Sequence, residues 1–262
     1  MNRLGSITLG VWASVALVFL YLPVAVLILF SFNDNQLMVL PLKGFTLGWY
    51  EAALGNEMLL RSVRNSVIVA AASTLIALIV GTAAALALDR VAFPGKVVFR
   101  FVILMPISLP GVITGVSILN MFSMMGVGLS LLTVVIGHTA MLLALVVTQV
   151  FARLQRLDRS MEDAAGDLGA SPWETFRRVT LPNIRTALIG SGLLSFIVSF
   201  DEVAVTFFLT GRENTLPMYI YSSLRQGPSP ELNAICTVIF AGTVVLIGIS
   251  VIFLRTGKGA AT

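Results

Sequence analysis

The sequence predicts an all-α integral membrane protein with six transmembrane helices. Hydrophobic residues make up 57% of the 262-residue chain and charged residues only 11%. That leaves too little polar surface to cover a water-soluble domain of this length. The apolar residues also gather into runs at about 8–30, 63–88, 99–124, 129–151, 187–209 and 232–254. Each is near the roughly 20 residues a helix needs to cross a hydrocarbon core of about 30 Å. The third observation is one polar island, SMEDAAGDLGASPWETFRRVTLP at 160–182, between the fourth and fifth runs.

The first run follows Arg3 and carries Pro23 within its apolar stretch. It is too long for a secretory h-region and has no cleavage site, so it reads as a retained span. The second run is rich in alanine (Ala70 to Ala72, Ala83 to Ala85), which suits close helix packing. The third is interrupted by Pro106, Pro110 and Gly111, and Gly111 with Gly115 makes a small-residue packing face. A kink, or a flexible gate, follows from those residues. Only Gly126-Val127-Gly128 separates the third run from the fourth. The fourth holds the single His138, which cannot form a metal site alone, and the sixth holds the single Cys236, which excludes an intramolecular disulfide. Both read as packing residues. The whole of 1–262 reads as one transmembrane domain.

Orientation follows from Lys and Arg, because positive charge resists translocation. With both termini cytoplasmic, the inner segments hold 12 of the 17 basic residues, six of them arginines between 153 and 185. The outer segments hold Lys43, Arg61, Arg64, Arg212 and Arg225. The island is therefore cytoplasmic. The net charge of +4 reflects topology and anionic lipid headgroups, with no call for nucleic acid.

The island reads as two short helices. Leu157, Met161, Ala164, Ala165 and Leu168 share one helical face, with Asp158, Glu162 and Asp163 beside them. Gly169 ends the first helix as a residue free to take positive φ. Ser171-Pro172-Trp173-Glu174 then combines an N-cap Ser, a Pro at the first helical position and a Glu at the third. Pro182 is expected to stop the run. An amphipathic loop on the headgroups is one reading of this island, but its first helix is acidic where anionic lipid would favour basic residues. Small alanines beside a tryptophan suit a helix entering a protein groove.

Asp163-Ala164-Ala165, then Gly169, Val179 and Leu181-Pro182 at their spacings resemble the EAA loop of ABC-importer permeases. Asp stands in the Glu position and Val in the Ile position. The resemblance extends over nearly the full chain through Ser31-Phe32-Asn33, Gly44-Phe45-Thr46, Trp49-Tyr50, Phe93-Pro94-Gly95-Lys96, Ser199-Phe200-Asp201-Glu202, Thr210-Gly211, Leu216-Pro217 and Ser229-Pro230-Glu231. These residues are similar to permeases of the spermidine/putrescine (PotC-type) family. The resemblance implies the MetI-like fold of a type I importer. It also implies a coupling helix at 160–182 that docks on an ATPase through Asp163, Ala164, Ala165, Gly169, Trp173, Leu181 and Pro182. The implied partners are a second homologous permease, two ATPase subunits and an extracytoplasmic solute-binding protein. The outer loop 211–231, with Tyr219 and Tyr221, is the place where that binding protein would dock. Related permeases import other small amines, amino acids or opine-like compounds.

No phosphate-binding glycine loop occurs: Pro94-Gly95-Lys96 and Gly257-Lys258-Gly259 lack the upstream glycine spacing. No Ser/His/Asp set or HExxH is present, so the chain reads as a transport subunit that needs no cofactor. Asp201 and Glu202 are the only carboxylates at bilayer depth, where a charge is costly unless it faces protein or water. Asp201 lies about 21 Å along the fifth helix from Ala187, at about 1.5 Å per residue. Ser191, Ser195, Ser199, Glu202, Thr206 and Thr210 recur at three- and four-residue steps as one polar stripe, with Asp201 on its shoulder. No Lys or Arg lies in the interior of a span to pair with the acids. One reading is a substrate path through Glu202, Asp201, Ser199, Ser195 and Thr206. Another is a carboxylate capped or paired for packing, and a third is a proton-coupled secondary transporter with Glu202 as carrier. Such transporters often carry inverted repeats, and no second copy of any segment is evident here.

Overall fold

The computed structural model describes residues 3–36, 39–227 and 229–256, with side chains over 9–36, 39–225 and 229–245. Pro228, Lys258 and the 257–259 fragment lie outside that range. Long apolar runs without polar partners for their backbone can only close their hydrogen bonds internally, and the described chain is correspondingly helical. Its elements are α1 Arg3–Ser31, α2 Gly48–Gly55, α3 Glu57–Arg90, α4 Lys96–Ser108, α5 Gly111–Met124, α6 Leu131–Leu154, α7 Ser160–Asp167 and α8 Pro172–Thr175. A π-helical turn, Phe176–Thr180, leads into α9 Leu181–Phe200. Then follow α10 Ala204–Leu209, α11 Leu216–Gln226 and α12 Pro230–Thr256. An isolated antiparallel bridge joins Asn33 and Phe45.

The chain forms two compact units, residues 1–60 with 220–262, and residues 61–219. In the first, α1 packs along α12 and α12 along α2. The motif residues after α1 tie a knot there. Trp49 Nε1 donates to Asn33 O at 2.9 Å, the amide of Thr46 donates to Phe32 O at 2.8 Å, and Ser31 Oγ meets the Tyr50 hydroxyl at 2.7 Å. Asn56 Nδ2 donates to Glu231 Oε1 at 2.7 Å. The resemblance motifs in this unit are thus structural ties.

The second unit is built around α6. Ala77, Ala85 and Leu88 of α3 pack with Leu142, Val146, Val147, Val150 and Leu154 of α6 and Ile184 of α9. A second cluster joins Val69, Phe122, Val134, Val135, Val205 and Leu209. Ala70 and Ala85, from the alanine-rich run, are both fully buried.

Two of the six expected spans are broken. The third, 99–124, divides into α4 and α5, which meet at 114°. The cause is local: Leu109 precedes a proline and is forced to an extended ψ of 139°, and Pro110 has no N–H to continue a helix. The fifth, 187–209, ends as α9 at Phe200 and resumes as α10 at Ala204. A stripe drawn at 100° per residue does not carry across that gap, so the single polar line expected from Ser191 to Thr210 is in two pieces. Pro182 does not stop the island's second helix either. Helix runs unbroken over Pro172–Phe200, and the wide turn before Pro182, with the Leu181 amide bonded to Phe176 O, makes room for the ring. Among the described residues four helices are long and apolar enough to cross a membrane alone, five with the bent pair counted as one span. The sixth expected run falls on α12, whose apolar stretch is described over Pro230–Val245.

The small-residue face of α5 is where α10 lies. A Cβ on Gly115 would stand 2.8 Å from Phe208 Cδ2 and 3.2 Å from the Val205 Cα. Backbone cannot yield as a side-chain tip does, so Gly115→Ala should destabilise the protein by about 1–3 kcal/mol. Thermal unfolding of the purified protein in detergent should register this as a lowered midpoint; an unchanged midpoint would contradict the packing of α10 on α5.

Candidate functional site

Local rules build the island. Gly169 holds φ at +83° with no atom within 4 Å of where a Cβ would sit, so the backbone turn and not crowding demands glycine. Ser171 Oγ accepts from the Glu174 amide at 3.3 Å, while Glu174 Oε2 accepts from the Ser171 amide at 3.0 Å, a reciprocal capping box with Pro172 inside it. The Ser171 amide and hydroxyl hold the Glu174 carboxyl below its usual range. The same effect acts on Asp158 through the backbone and hydroxyl of Ser160. Both carboxylate contacts therefore persist at neutral pH and weaken as the pH falls through the depressed values. Two large apolar side chains stand out from the island, Leu168 at 90% exposed and Trp173 at 67%, with Met161, Asp163 and Ala164 also exposed. Ala165 and Leu181 are half-buried and Pro182 is exposed.

Beneath this surface lies an ionic network that the sequence reading missed. Glu162 Oε1 accepts from Arg90 Nη2 at 2.9 Å and from Thr180 Oγ1 at 2.6 Å. Arg90 Nη1 stands 2.9 Å from Asp89 Oδ2, whose side chain is only 1% exposed. Asp89 Oδ1 accepts from Gln155 Nε2 at 2.7 Å, and Arg159 Nη2 donates to Asp89 O at 3.2 Å. The end of α3, the end of α6 and both helices of the island are thus held at one polar point. One signal was available in the sequence: Asp89 stands at the end of an apolar run, where an unpaired acid is costly.

At the other end of α9 the two helix breaks meet. Gly111, the first residue of α5, lies beside the gap in the fifth span; a Cβ there would be 3.1 Å from Ala204 Cβ and 3.6 Å from Glu202 Oε1. A pocket of about 370 Å³ opens between the breaks, lined by Pro106, Leu109, Gly111, Met141, Val198 and Glu202 among others. Glu202 Oε1 accepts from the Val205 amide at 2.9 Å and so caps α10. No basic side chain pairs with Glu202 or Asp201 among the described residues. Asp201 is exposed and Glu202 half-buried. Asp201 does not line the pocket. The other stripe residues point into the protein: Ser195, Ser199 and Thr206 are buried, and His138 stands 2.8 Å from both Ser199 Oγ and Thr206 Oγ1. The structure therefore brings Glu202 to the pocket and sets Ser199 and Thr206 against α6. His138, read from sequence as packing, is in fact hydrogen-bonded on both ring nitrogens.

Residues 77–256 match the family described as the binding-protein-dependent transport system inner membrane component. The chain belongs to this family. It is 37% identical over 238 residues to the putrescine transport system permease protein PotI of Escherichia coli K12, covering 88% of this chain and 84% of PotI. It is 32% identical over 253 residues to the spermidine/putrescine transport system permease protein PotC of the same strain, covering 96% of each. Its fold resembles that in the crystal structure of a bacterial ABC transporter involved in the import of alginate, with a TM-score of 0.72, 18% identity and 95% of each chain covered. This permease is therefore a multi-pass inner-membrane subunit of an ABC importer, a transport component and not an enzyme. Membership decides against a proton-coupled secondary transporter.

Removing Glu162 leaves Arg90 with Asp89 as its remaining acid partner and takes the acceptor from Thr180, a loss of about 1–3 kcal/mol to the anchoring of the island. Glu162→Ala should accordingly speed trypsin cleavage at Arg159 and Arg177 in the detergent-solubilised permease. Equal cleavage rates in the two proteins would mean that the network does not hold the island in place.

Proposed function

We propose that this permease carries a small cationic amine, a polyamine such as putrescine or spermidine, through a path that passes the pocket at Glu202. The observation that carries this is a single half-buried carboxylate, without a basic partner among the described residues, at a pocket with mostly apolar walls. A polyamine offers the complement: ammonium groups for the carboxylate and methylene segments for Pro106, Leu109, Met141 and Val198. The named cargoes of PotI and PotC support the same class. Both termini and the island face the cytoplasm in this reading, in keeping with the excess of basic residues on that side. The working assembly is this chain, a second homologous permease, two ATPase subunits and one extracytoplasmic binding protein.

Transport proceeds by alternating access. The exposed Leu168 and Trp173 enter a cleft on the ATPase, and ATP-driven closure of the ATPase pair moves the island. Unbroken helix over Pro172–Phe200 links Trp173 to the break at Asp201, about 40 Å away at 1.5 Å per residue. A push at one end is thereby delivered at the pocket.

Three experiments test this reading. Gly169→Val should insert normally, since nothing crowds the site, yet uncouple uptake from ATP hydrolysis, because a β-branched residue at positive φ distorts the turn by a cost of about 1–2 kcal/mol. Trp173→Cys should crosslink to the ATPase; crosslinks to lipid probes alone would return the island to the headgroups. For the path, Glu202→Gln keeps a cap for Val205 and removes the charge. At an effective dielectric near 20 the lost attraction is a few kcal/mol, about tenfold or more in initial-rate putrescine uptake. Asp201→Asn, off the pocket, should do less. Wild-type uptake by Glu202→Gln, at matched permease levels, would end the case for a cation at this site.

A further inference from the structure

Residues 199 and 206 flank the break in the fifth span, yet both reach the same side chain. His138, fully buried on α6, has Nδ1 2.8 Å from Ser199 Oγ at the end of α9 and Nε2 2.8 Å from Thr206 Oγ1 in α10. The directions of these bonds follow from proton counting. Thr206 Oγ1 donates its one proton to Glu202 O at 2.9 Å, so it must accept from Nε2–H. In the neutral ring Nδ1 is then an acceptor, and Ser199 donates to it. The chain of bonds runs from Ser199 through the imidazole and Thr206 to the backbone carbonyl of Glu202. The Glu202 side chain meanwhile caps Val205. Packing leaves α10 little freedom: a Cβ on the neighbouring Gly137 would lie 2.3 Å from Leu209 Cδ1.

We propose that His138 is a positioning residue for the substrate path, pinning both sides of the Asp201–Val203 break to one point on α6 and thereby setting the direction of Glu202. A single hydrophobic residue at this place could fill the space, but it could not tie two helix ends across a gap. The inference rests on the reading of Glu202 as the group that meets the cation.

The test uses the complete transporter in proteoliposomes, with its partner permease, ATPase and binding protein, and putrescine as the probe. The quantity read is putrescine taken up per ATP hydrolysed, which loss of folded material alone does not change. His138→Phe keeps a flat ring and drops both bonds; uptake per ATP should fall about fivefold or more. His138→Gln supplies one acceptor and one donor and should restore at least half of the wild-type ratio. Thr206→Val should match His138→Phe, Thr206→Ser should match wild type, and the double variant His138→Phe with Thr206→Val should be no worse than either alone. If His138→Phe fails to assemble, the Thr206→Val and Thr206→Ser pair carries the same comparison. An unchanged ratio in His138→Phe or Thr206→Val, or additive losses in the double variant, would overturn the proposal. Glu202→Gln in the same vesicles separates the two ideas. Normal transport there overturns the cation-site reading and with it the role of His138. A defect there beside normal His138→Phe overturns the positioning role alone.

Discussion

The constraint on which this structure turns is the hydrogen-bond demand of broken helices in apolar surroundings. Every helix end leaves backbone N–H and C=O groups without intrahelical partners, and in lipid each orphan costs several kcal/mol. The second unit contains two such breaks, and side chains gathered around α10 meet part of the demand at the second of them. Thr133 Oγ1 donates to Leu209 O at 2.7 Å at the end of α10, and His138 bonds Ser199 at the end of α9 and Thr206 in α10. Glu202 caps Val205. A six-residue helix such as α10 would not persist without these ties, because its own hydrogen bonds are too few to offset the entropy of forming it.

The island and the break in the fifth span differ in how they meet the same demand. At the break in the fifth span the partners are neutral hydroxyls, one imidazole and the Glu202 carboxylate that caps Val205. At the island they are charges: Asp89, Arg90, Arg159 and Glu162 compensate one another in a cluster where Asp89 is buried. Removing one member leaves the others uncompensated, which is why such clusters hold geometry more firmly than they add stability. Between the regions runs α9, joined without interruption to the island through a π-helical turn. That wide turn keeps the helix continuous past Pro182, where an ordinary α-helical turn would clash with the ring.

The legible parts of the molecule were those specified within a few residues. The capping box at Ser171 and Glu174, the left-handed turn at Gly169 and the break at Pro110 each follow from side chains and backbone limits in one short stretch. The apolar runs were equally plain, since lipid demands length and composition and little else. Pro182 was read by the same local logic and misled, because the π-helical turn that accommodates it has no sequence signature of its own.

By itself the sequence determined a helical membrane protein, the place and internal caps of the island, and the family through motifs spread along the chain. Only the tertiary structure decided where the fifth span breaks, since no proline or glycine stands between Phe200 and Ala204. That break is held by contacts across 61 and 68 residues, from His138 to Ser199 and Thr206. It likewise decided that Glu162 belongs to Arg90, 72 residues away. Pairings at such separations depend on which helix faces are pressed together, and that is set by the packing of α3, α6 and α9 as a whole, with no trace in the local pattern of any one of them.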